Sequence, residues 1–304
     1  MKHLLGLKGL SETEIQEIMT EAFWMKREVL EKGKKNNCLS GKSVITLFFE
    51  NSTRTRLSFE LASKYLGATA ANIAASGSSV AKGETLLDTV KTIDRMGADV
   101  IIIRHSSSGA QAFVSNYTKA SIINAGDGMH AHPTQALLDM MTMQEKKGDL
   151  KGLKVAIIGD VKHSRVARSN IYGLKTMGAE VVLGGPATLM PAEIEGMGVK
   201  AYTNVDEAIR GADVVMGLRI QLERQQKGAF PSVAEYHRCF GINEERLRLA
   251  APDALVMHPG PVNRGVELSA DVIDGVQSVI EEQVTNGVCV RMAVLKMLTD
   301  GNER

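Results

Sequence analysis

The sequence contains few cysteines, no long apolar run and no apolar leader. Its three cysteines, Cys38, Cys239 and Cys289, lie far apart and form no Cys-x-x-Cys or Cys/His cluster. Neither a disulfide framework nor a structural zinc site is therefore expected, which fits a reducing cytosol. No stretch approaches the roughly 18 apolar residues of a membrane-spanning helix, and the first residues begin no run adequate for a signal peptide. We expect a soluble protein of the cytoplasm.

An excess of either charge and the usual nucleotide-binding motifs are also missing. The 36 basic and 35 acidic residues give a formal net charge of +1, which indicates neither nucleic acid nor an anionic membrane as a partner. Gly159 is followed by Asp160 and Val161, so no Gly-x-Gly-x-x-Gly stands at that strand end to receive a dinucleotide. No Gly-x-x-x-x-Gly-Lys-Ser/Thr occurs either. We predict that the protein uses no cofactor.

The order of the apolar runs predicts two doubly wound domains, each with a parallel sheet flanked by helices. A chain of 304 residues suits two domains of about 150 residues each. Continuous apolar strands alternate with helical patterns along the chain, as in α/β folds. We predict a first domain at 1–147, a second at 148–286, and a C-terminal helix at 287–304 that packs back on the first. Strands are expected near 44–49, 68–73, 99–105, 121–128, 153–158, 180–183, 213–218 and 254–257. Helices are expected near 12–31, 56–67, 85–96, 191–195, 205–210 and 288–298, and from 133 and 164.

The turn after the first predicted strand has the composition of a phosphate-binding site. Ser52 or Thr53 is placed as an N-cap, and the unpaired amides of the following helical turn lie at the positive end of the helix dipole. Arg54 adds a bidentate donor for an oxyanion. An ordinary capped helix with solvated arginines would show the same residues.

Two further candidates follow predicted strands of the same domain. Arg104 ends a strand of four apolar residues, where ligands collect in parallel sheets, although an interdomain salt bridge is an alternative. His132 and Gln135 flank Pro133, which suits the first position of a helix. A neutral imidazole can polarise a carbonyl oxygen by donating a hydrogen bond. His130 and His132 could also suggest a metal, but no third ligand has credible spacing, so no metal is predicted.

Another group of candidates lies in loops and in the second domain. The stretch 74–84 has small residues and no apolar period, so it is either a solvent-exposed linker or a mobile loop that delivers Lys82 to an anion. Arg165 falls in the first turn of a predicted helix, and Arg219 follows a strand. The turn His258-Pro259-Gly260-Pro261 is stiff and exposes backbone groups.

Five motifs in this order resemble those of the aspartate/ornithine carbamoyltransferase family over essentially the whole chain. They are Phe48–Arg56, the Ser-x-x-x-Lys-Gly-Glu loop from Ser78, Arg104-His105, His132-Pro133-Thr134-Gln135, and His258-Pro259-Gly260-Pro261. The resemblance implies that carbamoyl phosphate is bound by one set of residues: Ser52, Thr53, Arg54, Thr55, Arg104, His132, Gln135, and the backbone of Gly260 and Pro261. It implies a catalytic set that consists of Arg54, Thr55, Lys82, Arg104 and His132.

The second substrate is predicted from the number of cations. One phosphate does not require five cations, so Arg165 and Arg219 imply a second anion, and two guanidinium groups match a small dicarboxylate. Aspartate is the simplest candidate that is also a nucleophile. Within the family the chain resembles the aspartate-specific members, with Lys82, Arg165, Arg219 and Gln221 as aspartate contacts. Ornithine-specific members would carry His-Cys-Leu-Pro and Ser-Met-Gly, which are absent here.

The resemblance therefore implies carbamoyl transfer to the amine of L-aspartate, an early step of de novo pyrimidine biosynthesis. Alternatives are a carbamoyltransferase for ornithine or an N-acylated ornithine, and a non-catalytic anion-binding paralogue. No side chain is an obvious general base, so the departing phosphate is expected to accept the proton. Neither domain holds both ligands, so closure is expected. The family's loop reaches a neighbouring subunit, which implies a homotrimer with Ser78 and Lys82 supplied by the neighbour. Regulatory chains or dihydroorotase are left open as partners.

Overall fold

The computed structural model describes residues 1–74, 83–192, 194–220 and 232–300. The chain forms two compact units. Unit 1 consists of Met1–Met141 with Thr285–Arg304, and unit 2 consists of Thr142–Val284. No helix in the described ranges is long and apolar enough to cross a membrane.

Unit 1 is built on a parallel sheet with the strand order β2-β1-β3-β4. Its strands are β1 (Ser43–Phe48), β2 (Thr69–Ala74), β3 (Val100–His105) and β4 (Ser121–Asp127). Its helices are α1 (Glu12–Met25), α2 (Thr53–Tyr65), α3 (Leu86–Arg95), α4 (Ala110–Ser115), the first part of α5 (Pro133–Lys147) and most of α11 (Ile280–Asp300), with a π-helical turn at Lys26–Glu31. The first four residues of β3 are fully buried, which explains their continuous apolar sequence.

Unit 2 contains a parallel sheet with the order β7-β6-β5-β8-β9. Its strands are β5 (Lys154–Ile158), β6 (Glu180–Gly184), β7 (Lys200–Tyr202), β8 (Val214–Gly217) and β9 (Leu255–Met257). Its helices are α6 (Arg165–Thr176), α7 (Val205–Ile209), α8 (Val233–Phe240), α9 (Glu244–Leu247) and α10 (Ala270–Ile273). Short 3₁₀ turns lie at Ala187–Leu189 and Ile194–Met197. The predicted fold class, two parallel-sheet domains flanked by helices, is confirmed.

Each sheet has one point where the chain changes the direction in which it adds strands. In unit 1 this point lies between β1 and β3, and in unit 2 it lies between β5 and β8. The connections on the two sides of such a point run in opposite directions and leave a crevice at the carboxyl ends of the strands, where ligands bind in open α/β sheets. The loops that begin at residues 49, 106, 159 and 218 are therefore the expected locations of functional groups.

The C-terminal helix packs on unit 1, as predicted. The guanidinium of Arg291 donates to the hydroxyl of Ser58 on α2 at 2.9 Å. Farther along α11, Lys296 forms an ion pair with Glu21 at 2.9 Å. Ser121 at the start of β4 donates to the carbonyl of Leu298 at 3.3 Å.

Three local predictions were wrong or incomplete. The predicted helix near 191–195 is replaced by the 3₁₀ turn Ile194–Met197 in the described residues. Strand β7 and helices α4, α8, α9 and α10 were not predicted, because each has eight residues or fewer and is too short to show a clear repeating pattern. Helix α11 begins at Ile280, eight residues before the predicted start at 288. The sequence pair Asn286-Gly287 suggested a helix start, but both residues lie inside the helix.

Gly287 is tolerated inside α11 because the packing there leaves no room for a side chain. A β-carbon at this position would lie 2.6 Å from a guanidinium nitrogen of Arg291 and 3.1 Å from the side chain of Leu138. The same guanidinium nitrogen donates to the Gly287 carbonyl at 2.8 Å. A glycine in a helix costs about 1 kcal/mol relative to alanine, and here the close approach of Arg291 offsets that cost.

Candidate active site

The predicted phosphate-binding turn forms the N-terminus of α2. Ser52 occupies the N-cap position with extended backbone angles (φ −158°, ψ 94°), and its side chain makes no capping hydrogen bond within the described residues. The N–H groups of the first helical turn point toward the N-terminus without intrahelical partners. Thr53 and Arg54 are exposed, whereas Thr55 is buried. Helix α2 thus presents free amides, two hydroxyl groups and an exposed guanidinium at one end.

Arg104 lies beside this turn because β1 and β3 are neighbouring parallel strands. Phe48 pairs with Arg104 in the sheet, and the amide of Phe49 donates to the Arg104 carbonyl at 2.9 Å. The guanidinium forms an ion pair with Glu50 (Nε–Oε2 3.3 Å) and donates to the carbonyl of Ala125 at 3.4 Å. Glu50 therefore holds Arg104 at the edge where β1 enters the turn before α2.

A buried aspartate organises the loop that leads to His132. Asp127 at the end of β4 accepts hydrogen bonds from the amides of Gly109 (2.7 Å) and Ala131 (2.8 Å) and from the side chain of Asn124 (3.0 Å). It also contacts the imidazole of His130 at 2.9 Å. Because Ala131 is the residue before His132, the carboxylate fixes the turn from which the buried His132 enters α5.

Gly128 in the same loop provides a test of this packing. Its φ is +48°, and a β-carbon would lie 2.6 Å from the Ser108 hydroxyl and 2.8 Å from the Ser106 carbonyl. We expect Gly128→Ala to destabilise the protein by about 2–4 kcal/mol, measured as a lower midpoint of thermal unfolding. Gly97→Ala is the matched control, because Gly97 has a φ of +89° and a β-carbon added there would meet no atom within 4 Å. Equal losses in the two variants would contradict the predicted clash.

His132 and Gln135 occupy the N-terminus of α5, as predicted. The backbone carbonyl of His132 accepts from the amides of Gln135 (3.1 Å) and Ala136 (3.3 Å), which places His132 directly before the first helical turn. Both His132 and Gln135 are at least nine-tenths buried. The side-chain amide of Gln135 donates to Asp139 at 2.9 Å. In unit 1, therefore, the carboxyl ends of β1, β3 and β4 carry the predicted arginines, histidine and glutamine at one edge of the sheet.

Arg165 in unit 2 begins α6 immediately after the β5 turn. Ser164 caps the helix by accepting from the amide of Ala167 at 3.1 Å. Asp160 accepts from the amide of His163 at 3.2 Å and contacts its imidazole at 2.9 Å, which closes the turn between strand and helix. Arg165 is 4% exposed. A buried arginine in a first helical turn is unlike the solvated arginine that composition alone would suggest.

Arg219 follows β8, the strand next to β5, and its backbone is held by Glu267. The amide of Leu218 donates to the Ile158 carbonyl at 2.8 Å. On the other side of Arg219, the amide of Ile220 donates to the buried Glu267 carboxylate at 2.8 Å. Burial raises the pKa of Glu267, while the hydrogen bonds from Ile220 and Asn263 oppose that rise. Glu267 thus fixes the peptide plane that carries the Arg219 side chain.

The predicted turn at His258–Pro261 follows β9, the strand next to β8. The amide of Gly260 donates to Nδ1 of His258 at 2.9 Å, so the proton of this imidazole resides on Nε2. The same Glu267 accepts from the backbone amide of Asn263 at 2.8 Å and from its side chain at 2.7 Å. One carboxylate therefore connects the Arg219 segment to the residues that follow Gly260 and Pro261.

Three predicted site residues, Ser78, Lys82 and Gln221, lie outside the described residues. The sequence analysis also assigned no role to Glu50, Asp139 and Glu267, although the structure shows them in contact with predicted site segments. Asp139 lies four residues after Gln135 on one helix, and that spacing could have indicated the contact. No sequence spacing indicates the contacts of Glu267, because 47 residues separate it from Ile220.

These arrangements define an α/β protein whose strand ends carry donors suited to anions and to a polarised carbonyl group. Unit 1 offers helix amides, hydroxyl groups and two guanidinium groups, and unit 2 offers two arginines at the ends of adjacent strands. Groups of three or more histidine, cysteine, aspartate or glutamate side chains placed to hold a metal are absent from the described part of the chain.

Comparison with known families identifies the class. A family model described as aspartate/ornithine carbamoyltransferase, carbamoyl-P binding domain, matches residues 2–145. A second model, described as aspartate/ornithine carbamoyltransferase, Asp/Orn binding domain, matches residues 151–298. The chain belongs to the aspartate/ornithine carbamoyltransferase family, and the resemblance seen in its motifs is confirmed.

Curated relatives and solved structures are similar over nearly the full length. The aspartate carbamoyltransferase catalytic subunit of Acetivibrio thermocellus is 67% identical over 98% of this chain and 96% of its own. The aspartate carbamoyltransferase catalytic subunit of Ruminiclostridium cellulolyticum is 66% identical over 98% of this chain and 95% of its own. Aspartate transcarbamoylase from Trypanosoma cruzi, solved with N-(phosphonacetyl)-L-aspartic acid, superimposes with a TM-score of 0.87 at 33% identity, over 97% of this chain and 95% of its own. Ornithine carbamoyltransferase from Pyrococcus furiosus superimposes with a TM-score of 0.88 at 31% identity, over 99% of this chain and 98% of its own.

Proposed function

We propose that this chain transfers the carbamoyl group of carbamoyl phosphate to the amino group of L-aspartate, giving N-carbamoyl-L-aspartate and phosphate. The observation that carries the proposal is the separation of the cationic groups into two sets. Arg54 and Arg104 lie at the carboxyl edge of the unit 1 sheet, and Arg165 and Arg219 lie at the carboxyl edge of the unit 2 sheet. The names of the curated relatives support the same activity.

In unit 1 the phosphate of carbamoyl phosphate binds at the N-terminus of α2. The exposed helix amides and the hydroxyl groups of Ser52 and Thr53 donate to its oxygens, and the guanidinium of Arg54 neutralises its charge. Arg104, held by Glu50, contributes a second cation at the same edge of the sheet. Lys82 from the loop of a neighbouring subunit completes the set, and the backbone of Gly260 and Pro261 also contacts this substrate, both by family resemblance.

Catalysis arises mainly from positioning and from stabilisation of charge. The uncharged amine of aspartate attacks the carbamoyl carbon, the carbon–oxygen bond to phosphate breaks, and the departing phosphate accepts the proton that the amine loses. Negative charge grows on the carbonyl oxygen in the transition state, where Thr55, Arg104 and His132 donate hydrogen bonds. Gln135 accepts a hydrogen bond from the carbamoyl amino group.

In unit 2 aspartate binds through its two carboxylates. Arg165 begins α6 after β5, and Arg219 follows the adjacent strand β8, so their guanidinium groups can each bind one carboxylate in a bidentate pair. Gln221 is a lesser contact, and Lys82 of the neighbouring subunit also contacts aspartate by family resemblance. Unit 1 is accordingly proposed as the carbamoyl-phosphate domain and unit 2 as the aspartate domain.

The carbamoylation rate across a panel of amino acids tests the substrate. We expect L-aspartate to be the preferred acceptor and ornithine and N-acylated ornithines to be unreactive, with phosphate release as the measured signal. A preference for ornithine or an acylated ornithine would overturn the aspartate assignment. Failure to release phosphate with any acceptor would favour a non-catalytic anion-binding protein.

The fold alone does not separate the aspartate and ornithine enzymes, since both superimpose well on this chain. The sequence His258-Pro259-Gly260-Pro261 and the two strand-end arginines favour aspartate, because ornithine presents a cation where a second carboxylate would stand. A bisubstrate analogue with phosphonate and aspartate groups gives a second test. We expect it to compete with carbamoyl phosphate and to bind far more tightly than either substrate.

The active unit is proposed to be a homotrimer in which each site receives Ser78 and Lys82 from the neighbouring chain. Mixing two inactive variants, Arg54→Ala and Lys82→Ala, should then restore activity, because about one quarter of the sites in randomly mixed rings would combine an intact Arg54 with an intact Lys82. The control is each variant unfolded and refolded alone. Absence of recovered activity in the mixture would show that the sites are not shared.

The proposed reaction is an early step of de novo pyrimidine biosynthesis, and we propose that it takes place in the cytoplasm. The cysteine usage of the sequence supports this location. Cys38, Cys239 and Cys289 all lie in the described residues, and none of the three forms a disulfide bond there. Disulfides rarely persist in a reducing cytosol.

A further inference from the structure

Asp139 is a buried carboxylate without a role in the proposed reaction, and it contacts a proposed substrate-binding residue. Its side chain is fully buried on α5. Its Oδ1 accepts a hydrogen bond from Nε2 of Gln135, one helical turn earlier, at 2.9 Å. Gln135 itself is 8% exposed, so its amide has little freedom to exchange this partner for water.

This contact determines whether the NH₂ group or the oxygen of the Gln135 side-chain amide faces Asp139. An ionised carboxylate can only accept hydrogen bonds, whereas a carboxamide has a donating NH₂ group and an accepting oxygen on opposite sides of its carbon. The NH₂ group must therefore face Asp139. The oxygen Oε1 is left on the other side, available to accept a hydrogen bond from a ligand.

The positive charge of the buried Arg291 guanidinium reduces the cost of burying a negative charge at Asp139. Desolvation lowers the pKa of the fully buried Arg291 to about 10, and the charge of Asp139 opposes that shift. The guanidinium therefore remains protonated near neutral pH. It also donates to the Ser58 hydroxyl at 2.9 Å and lies 5.1 Å from the ring centre of Phe59, both on α2. Asp139 thus belongs to a buried group that connects α5, α11 and the helix that starts at the phosphate-binding turn.

We propose that Asp139 is a positioning residue that sets the selectivity of the site for an acyl phosphate bearing an amino group. By fixing Oε1 of Gln135 as an acceptor, it favours the NH₂ group of carbamoyl phosphate over the methyl group of acetyl phosphate. This inference rests on the proposed function, since it assumes that carbamoyl phosphate binds at Gln135.

The energetic reason is the difference between a fixed and a rotatable amide. With Asp139 present, bound acetyl phosphate covers the Gln135 oxygen without offering it a donor, and an acceptor removed from water without a partner is costly. Without the carboxylate, the amide can rotate and present either end. The hydrogen bond to the carbamoyl NH₂ group is then weakened, while the binding of a methyl group is little affected.

The test measures the inhibition or dissociation constants of carbamoyl phosphate and acetyl phosphate for wild type and Asp139→Asn. We expect the preference for carbamoyl phosphate to fall roughly tenfold, because its affinity decreases while that of acetyl phosphate changes little. A purely structural role would weaken both ligands equally, so an unchanged ratio overturns the proposal. In a Gln135→Ala background, Asp139→Asn should change the ratio no further.

Two further variants keep the result interpretable. Asp139→Asn/Arg291→Met leaves no uncompensated buried charge, so it is expected to fold if the single variant does not, and it should show the same loss of selectivity. Asp94→Asn is the matched control, because Asp94 accepts from Thr118 (2.7 Å) and Ala120 (2.8 Å) in another part of unit 1. It should lower thermal stability without changing the ratio. Wild type that binds neither ligand would instead disprove the proposed function.

Discussion

Replacing Arg54 with alanine is expected to lower kcat by about 10²–10³-fold while the protein remains folded. Arg54 is exposed in the first turn of α2 and makes no ion pair or side-chain hydrogen bond with any residue in the described part of the chain. Its removal therefore breaks no contact of the described fold. What is lost is the stabilisation of charge on the departing phosphate, which is greatest in the transition state. Turnover at saturating concentrations of both substrates measures this loss.

Arg56 provides the matched control for Arg54. It is an exposed arginine two residues later on the same helix, so its side chain projects from a different side of α2. Arg56→Ala should keep nearly full turnover, and both variants should unfold thermally near the wild-type temperature. If Arg54→Ala also kept nearly full turnover, Arg54 would have no part in the chemistry.

The elements that the sequence predicted well are those with a strong local signal. The apolar runs of β1, β3 and β5 have no polar alternation, and this pattern is sufficient to predict strands buried on both faces. The start of α1 was predicted from its capping box, in which Ser11 and Glu14 bond reciprocally in the structure. The start of α2 after Ser52 was predicted for the same reason, because helix starts depend on a few neighbouring residues.

The parts that were not predicted depend on contacts between residues far apart in sequence. The pairing of β1 with β3, which brings the turn before α2 beside Arg104, joins residues 56 positions apart. The Glu267 carboxylate accepts hydrogen bonds from the backbone amides of Ile220 and Asn263, which lie in two different loops. Neither loop contains a sequence pattern that requires a carboxylate partner. Gly287 lies inside α11 against Arg291 and Leu138, and the contact with Leu138 joins residues far apart in sequence. Such contacts are consequences of the assembled fold and have no local sequence signature.

Replacing Arg219 with alanine is expected to raise the KM for aspartate by about 10–100-fold, since a charge-assisted bidentate pair with a carboxylate is lost. The KM for carbamoyl phosphate should change little. Arg219 is half-buried, and the amide of the next residue remains bound to Glu267, so the strand end should keep its conformation without the guanidinium. Arg210→Ala, an exposed arginine after α7 in the same unit, is the control. An unchanged KM for aspartate would remove Arg219 from the aspartate site, and the second carboxylate would then need another cation in unit 2.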